Sequence, residues 1–176
     1  MSTLVKARIE VNGTVREVEI EPRTLLADVL REKCSSKGTH IGCEHGVCGA
    51  CTVLLDGEPV RSCLTLAVQA DGRSVETVES LAEPDGSLNE LQSAFHRHHG
   101  LQCGYCTPGI LMSLTALFRT AGSPSEGEIR DFLQGHICRC TGYQQMIEAA
   151  LEVSEHAESE HAEAEPAGTE HAGTGQ

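Results

Sequence analysis

Eight of the nine cysteines in this 176-residue chain fall into two sets of four, and each set has the spacing of a metal centre. The first set is Cys43, Cys48, Cys51 and Cys63, a C-x4-C-x2-C run followed by a fourth cysteine after eleven more residues. That is the spacing of a plant-type [2Fe–2S] loop. Structural zinc usually shows paired CxxC knuckles instead. The second set joins a CxxC, Cys103 and Cys106, to a CxC, Cys138 and Cys140. On spacing alone this second set suits either an iron–sulfur cluster or zinc. A chain with two such sets must fold so that two loops close on metal, and two redox centres suggest a conduit for electrons.

The scaffold has little else to stabilise it. There are two Tyr, three Phe and no Trp, against 18 Gly. Small cores of this kind are often reinforced by metals or disulfides. The N-terminal stretch Met1 to Val11 alternates apolar and charged residues and has no apolar h-region, so it does not read as a secretory signal. A cytoplasmic, reducing location is therefore expected, where thiols stay free for metal. No window approaches the run of about 18 apolar residues that a membrane span needs. The formal net charge is −13, and no long basic run breaks it, which argues against nucleic-acid binding.

The pattern changes twice along the chain. Residues 1–80 read as mostly β. Val5, Ala7, Ile9 and Val11 alternate with polar residues, Asn12-Gly13 is a hairpin signal, and Val18 and Ile20 continue the returning strand. Thr24 is expected to cap a short helix carrying Leu25, Leu26, Val29 and Leu30 on one face. Strands are expected over 52–55, 60–66 and 74–78. Together these suggest a small β-grasp sheet. Residues 81–153 read as four helices in a compact bundle. Thr107-Pro108 suggests a cap and a proline at the first helical position, Ser123 with Glu126 suggests a capping box, and Thr141-Gly142 suggests the start of the last helix. The second set of thiolates is thus expected at two helix N-termini, where unpaired N–H groups favour negative charge. Residues 154–176 read as a disordered acidic tail, for they offer no large apolar residue to bury. Seven acids and no bases lie between Glu152 and Gln176. The E-H-A triplets that hold His156, His161 and His171 read as solvated chain rather than a metal site.

The remaining candidates have plain readings. Cys34 stands outside both spacings and reads as a buried free thiol. His96, His98 and His99 suit a polar helix C-terminus better than a metal. His40, His45 and His136 lie near the cysteine loops, but each set already has four cysteines without them. Arg139, between two cysteines, either offsets cluster charge or is a solvated residue.

Four strings now stand together: GTHIGCEHGVCGACTV from Gly38 to Val53, DGEPVRSC from Asp56 to Cys63, GLQCGYCTPG from Gly100 to Gly109, and CRCTGY from Cys138 to Tyr143. Over roughly Val5 to Leu151 the chain resembles the small iron–sulfur subunit of the molybdenum hydroxylase (xanthine oxidase) family, which includes the bacterial carbon monoxide dehydrogenase small chain. The resemblance implies an α+β chain, with an N-terminal plant-type ferredoxin-like β-grasp domain and a C-terminal four-helix bundle, each binding a [2Fe–2S] cluster. It implies two partners, a large subunit with a molybdenum-molybdopterin cytosine dinucleotide and a medium subunit with FAD, in a dimer of heterotrimers. Electrons would pass from the molybdenum to the helical-domain cluster, then to the ferredoxin-like cluster and on to FAD. It places Gln102 and Cys140 near the pterin, and Gly42 to Cys48 on the side facing the flavin. No substrate site or catalytic residue is expected in this chain.

The chain departs from the family pattern at His136-Ile137, where Asn-Leu is expected before the CxC. Glu44-His45-Gly46-Val47 resembles the loop of hydroxylases of N-heterocycles or aldehydes more than that of carbon monoxide dehydrogenases. The acidic tail lies outside the shared pattern. Two other readings remain in view: a free-standing two-cluster ferredoxin and a zinc-stabilised interaction module.

Overall fold

The computed structural model describes residues 3–164. Strands β1 (Val5–Val11) and β2 (Thr14–Ile20) form the expected hairpin, with Val5 opposite Ile20 and Val11 opposite Thr14. Asn12 and Gly13 both take positive φ (50° and 74°). Two such residues in a row match the twist of the flanking strands. Alternation does the rest: Ala7, Ile9 and Val11 point inward with Val18 and Ile20, while Lys6, Arg8 and Glu10 face out.

Helix α1 (Leu26–Glu32) buries Leu26, Ala27, Val29 and Leu30 against this sheet. Its N-cap is Leu25, not Thr24, and no side chain caps it. The first N–H groups of the helix find backbone acceptors instead, Leu26 N–H on Thr65 O and Ala27 N–H on Ser62 O. With those donors satisfied, a capping hydroxyl is unnecessary.

Strands β3 (Thr52–Leu55) and β4 (Glu58–Arg61) make a second hairpin, and β5 (Ser74–Glu76) lies between β1 and β3. β5 runs parallel to β1 and antiparallel to β3, giving the order β2-β1-β5-β3-β4. β4 is shorter than its sequence suggested. The chain turns after Arg61, whose carbonyl accepts from the Leu64 N–H and the Thr65 hydroxyl.

Four helices follow: α2 (Glu90–Arg97), α3 (Thr107–Ala121), α4 (Glu126–Gln134) and α5 (Gln144–Ala164). Helix α3 is central. Ile110, Met112 and Leu114 on it are fully buried among Phe95, Ile129 and Met146. All four residues of β3 are buried: Val53 and Leu55 belong to the core under α1, and Leu54 to the core of the helices. At β3, though not at the exposed outer face of the β1–β2 hairpin, the sheet is therefore covered on both sides. Across it, the Arg119 guanidinium at the end of α3 forms two 2.8 Å bonds to the Glu76 carboxylate on β5.

Three helix starts differ from the sequence-based expectation. The N-cap of α3 is Cys106, so Thr107 and Pro108 are its first two helical residues. The capping box of α4 is Ser125 with Glu128. Ser123 belongs to the exit from α3, its N–H on Ala121 O. Helix α5 begins only at Gln144, because Gly142 and Tyr143 both have positive φ (68° and 70°). The other end of α5 brings a larger correction. The helix continues to Ala164, through much of what the composition suggested was irregular chain. Its Ala and Glu residues are strong helix formers. Glu152 meets Arg97 at the end of α2 and its C-cap His98, and the buried Ser154 hydroxyl donates to Pro124 O. The rest of the acidic tail, 165–176 with His171, lies outside the described residues. Among those described, no helix is long and apolar enough to cross a membrane.

Candidate metal centres

The loop between α1 and β3 carries the first three cysteines. Glu44, Gly46 and Gly49 on it have positive φ (55°, 76° and 76°). The loop curls back on itself, and the N–H groups of His45 and Cys48 both point at Cys43 Sγ from 3.4 Å. These donors stabilise a thiolate, and they hold the Cys43 thiol down at about 6. Cys51 immediately precedes β3 and Cys63 follows β4; the Ser62 N–H and hydroxyl both donate to Cys51 O and hold the two ends together. Cys51 and Cys63 are buried; burial first, and then Cys51, push the Cys63 thiol up to about 11.

The second set is built at the junction of α3 and α5. Gly104, with φ 77°, turns the chain between Cys103 and Cys106. Cys138 Sγ lies 3.1 Å from the Thr141 hydroxyl, and the Cys138 N–H donates to the Tyr143 hydroxyl at 2.8 Å. The Cys103 thiol beside it raises Cys140 above the ordinary thiol value. Burial and Cys138 push the Cys106 thiol up to about 12. Cys138 is held below its ordinary value despite its burial, by the Thr141 hydroxyl and N–H and the Cys140 N–H. Only Cys106 stands at a helix N-terminus, since α5 starts four residues after Cys140. Cys103 and Cys140 are exposed. Gln102 lies beside them, its side-chain amide donating to Cys140 O at 3.3 Å, so the two residues expected near a pterin share one exposed face.

Within each set the thiols act on one another: Cys51 raises Cys63, Cys138 raises Cys106 and Cys103 raises Cys140. Among the described residues, the one trio of His, Cys, Asp or Glu ligand atoms that all lie within 4.8 Å of one another is Glu90, Glu152 and His156. No three cysteine sulfurs come that close. A tetrahedral zinc site would hold all four within about 3.8 Å of each other, given Zn–S bonds of about 2.3 Å. Sulfurs spread more widely than that suit a two-iron cluster, in which each iron takes two thiolates. The nearby histidines are engaged elsewhere: His40 Nδ1 on Tyr105 O, His45 Nδ1 on Cys43 O, and His136 Nε2 on the Ser113 hydroxyl.

The two sites interlock. The Ile137 N–H donates to Cys48 O at 3.0 Å, and Arg61 Nη2 donates to Gly135 O at 2.5 Å. A Cβ on Gly49 would fall 2.3 Å from His136 Nδ1, and one on Gly109 would fall 2.2 Å from Gly49 O. Only glycine permits such approach. Burial, and then Arg61, lower the His136 imidazole to about 4, so it is neutral at pH 7. Sequence reasoning passed over Gly109 and gave His136 no role. Nothing in a single sequence shows which distant loop a glycine will touch. Arg139 lines a cavity of about 240 Å³ together with Cys43, Cys48, Cys103 and Cys106.

Comparison with known proteins agrees with this geometry. Residues 9–82 match the family of 2Fe-2S iron-sulfur cluster binding domains, and residues 77–151 match a second family, the [2Fe-2S] binding domain. The nicotine 6-hydroxylase small subunit of Paenarthrobacter nicotinovorans is 55% identical over 151 residues, which span 86% of this chain and 90% of that one. The caffeine dehydrogenase subunit gamma of Pseudomonas sp. (strain CBB1) is 56% identical over 154 residues, 85% of this chain and 91% of that one. The crystal structure of quinoline 2-oxidoreductase from Pseudomonas putida 86 contains a chain that superimposes with a TM-score of 0.85 at 49% identity, covering 90% of this chain and 98% of that one. With two cluster-binding domains in the same order and relatives matched over nearly their full length, the chain belongs to the iron–sulfur small subunits of the molybdenum hydroxylase (xanthine oxidase) family.

Proposed function

We propose that this chain is the electron-transfer subunit of a molybdenum-containing hydroxylase or dehydrogenase. Cys43, Cys48, Cys51 and Cys63 hold one [2Fe–2S] cluster, and Cys103, Cys106, Cys138 and Cys140 hold the other. The observation that carries this reading is the gathering of cysteines of both sets around one cavity, in a chain whose two halves each match a [2Fe-2S] binding domain. When bound, the two clusters supply one-electron steps between a molybdenum-pterin centre on a large subunit and FAD on a medium subunit.

The chain's own residues position and tune. Backbone N–H groups on Cys43 Sγ stabilise negative charge at the first site; the Thr141 hydroxyl does so at the second. Exposed Cys140, Cys103 and Gln102 form the face that meets the pterin, and the Gly42 to Cys48 loop turns toward the flavin. Val47 and Leu64, 61% and 59% exposed beside the first site, suit a surface covered by a partner. That apolar surface favours the subunit over a free-standing ferredoxin. We further propose that the chain divides near residue 80 into its two cluster domains, and that the assembly is a cytoplasmic dimer of heterotrimers. The three relatives named above act, by their names, on nicotine, caffeine and quinoline, so an N-heterocycle is the proposed substrate class of the complex.

The test is EPR of the dithionite-reduced complex with metal analysis. Two distinct [2Fe–2S] signals, about four irons per chain, and stoichiometric molybdenum and flavin are expected. One signal with zinc in the second site would refute the electron path.

A further inference from the structure

Two sites that exchange electrons must keep a fixed separation, yet here they hang on loops from different halves of the chain. One side of the junction is fixed by backbone, through the Ile137 N–H on Cys48 O and the contact of Gly109 with Gly49. The other side is spanned by a side chain. Tyr105 stands between Cys103 and Cys106, and its hydroxyl donates to Ile41 O at 2.7 Å. Its own carbonyl meets His40 Nδ1 at 2.8 Å. Its ring stacks on the His40 ring, with centroids 4.6 Å apart and planes inclined by 16°. The ring edge also lies along Gly42: a Cβ built there would sit 3.5 Å from Tyr105 Cε1 and 3.2 Å from Cys48 Sγ. A residue of the second ligand loop thus touches three consecutive residues of the first, immediately before Cys43. Tyr105 also lines the cavity shared by cysteines of both sets. At 47% exposed it is no core residue, so burial alone does not explain its place.

We propose that Tyr105 and His40 form a clasp that sets the separation and the coupling of the two cluster sites. The proposal rests on the two-cluster reading above. Both are positioning residues, which act through Cys43 and Cys48 on one loop and Cys103 and Cys106 on the other.

The test uses the assembled complex with Tyr105→Phe, Tyr105→Ala and His40→Ala. Hydrogen exchange at the Ile41 to Cys43 amides reads how often the loop lifts. The magnetic interaction between the two clusters, read in EPR at full reduction, reports their separation. Tyr105→Phe keeps the stack and loses one hydrogen bond, so exchange should rise about fivefold with the interaction nearly retained. Tyr105→Ala loses the bond and the stack, and exchange should rise about thirtyfold with a changed interaction. If Tyr105→Ala leaves both readouts as in the wild type, the clasp is overturned. Should Tyr105→Ala fail to load its second site, the other two variants decide: faster exchange in both supports the clasp, and wild-type behaviour in both overturns it. A wild-type complex without two [2Fe–2S] signals overturns the functional reading itself, and the clasp with it.

Discussion

Adding one methyl group at Gly109 tests whether the two ligand loops are packed against each other as described. In Gly109→Ala the new Cβ would lie 2.2 Å from Gly49 O and 3.1 Å from the Cα and carbonyl carbon of Ala50. Carbon and carbonyl oxygen settle at about 3.3 Å, so the two backbones must part by about 1 Å. Neither can rotate away, because the obstruction is main chain on both sides. Overpacking of this kind costs about 1–3 kcal/mol, and the better helix propensity of alanine returns at most about 1 kcal/mol. The net loss is about 1–2 kcal/mol, which lowers the melting temperature by about 3–6 °C in a chain of this size. Gly127→Ala is the matched control. On α4 its Cβ would meet only the Ser125 hydroxyl at 3.9 Å, so it should stabilise by up to about 1 kcal/mol. Thermal melts of both variants, with iron content measured alongside, give opposite signs if the junction is tight. Equal melting temperatures and full iron in both would refute the packing of α3 on the first ligand loop.

Cys103→Ser in the assembled complex should abolish the second-site EPR signal and leave the first largely intact; loss of both would show that the sites are not independent. In the iron-free chain, a short iodoacetamide pulse near neutral pH should label Cys43 well before Cys63 or Cys106, as peptide mass mapping would show, because its thiol lies at about 6 and theirs at about 11 and about 12. With its value depressed in the folded chain, the Cys43 thiolate contributes stability above the ordinary thiol value of 9.0, and that contribution is lost as pH falls through about 6. Arg119→Ala should cost about 0.5–1 kcal/mol at low salt, and less at high salt, since the pair is partly exposed. Arg119 lowers the Glu76 carboxyl below its ordinary 4.5, so the pair stabilises above that value and fades as pH falls through the lower folded one. Parallel melting curves of variant and wild type across the acid range would sever that link.

Local chemistry was readable in the sequence wherever the cause was itself local. Asn12-Gly13 dictates the hairpin, the alternation from Val5 to Val11 sets its inward face, and the cysteine spacings mark both ligand loops. The misassigned helix starts share one physical origin. Thr24 is a competent cap, but α1 takes its acceptors from Ser62 and Thr65, about forty residues away in sequence and visible only after folding. Ser123 and Ser125 each stand three residues before a glutamate, and the exit of α3 at Gly122 decides between them. The extension of α5 was missed because composition was weighed without its contacts; Arg97, His98 and Pro124 supply partners that the isolated tail lacks. Spacing left zinc or iron open at the second set, and the match of residues 77–151 to a [2Fe-2S] binding domain decides for iron.

Strand β3 puts Leu54 into one core and Val53 and Leu55 into the other. A wall shared by two rooms cannot be taken with only one of them. A fragment ending near residue 80 would leave the outer face of β3 bare, and a fragment beginning there would leave α3 with nothing to lean on. The two cluster domains are separable as sequence families, but melting should report them as one cooperative unit. Damage at either metal site would then lower the stability of the other through this shared strand as well as through the contacts between the ligand loops.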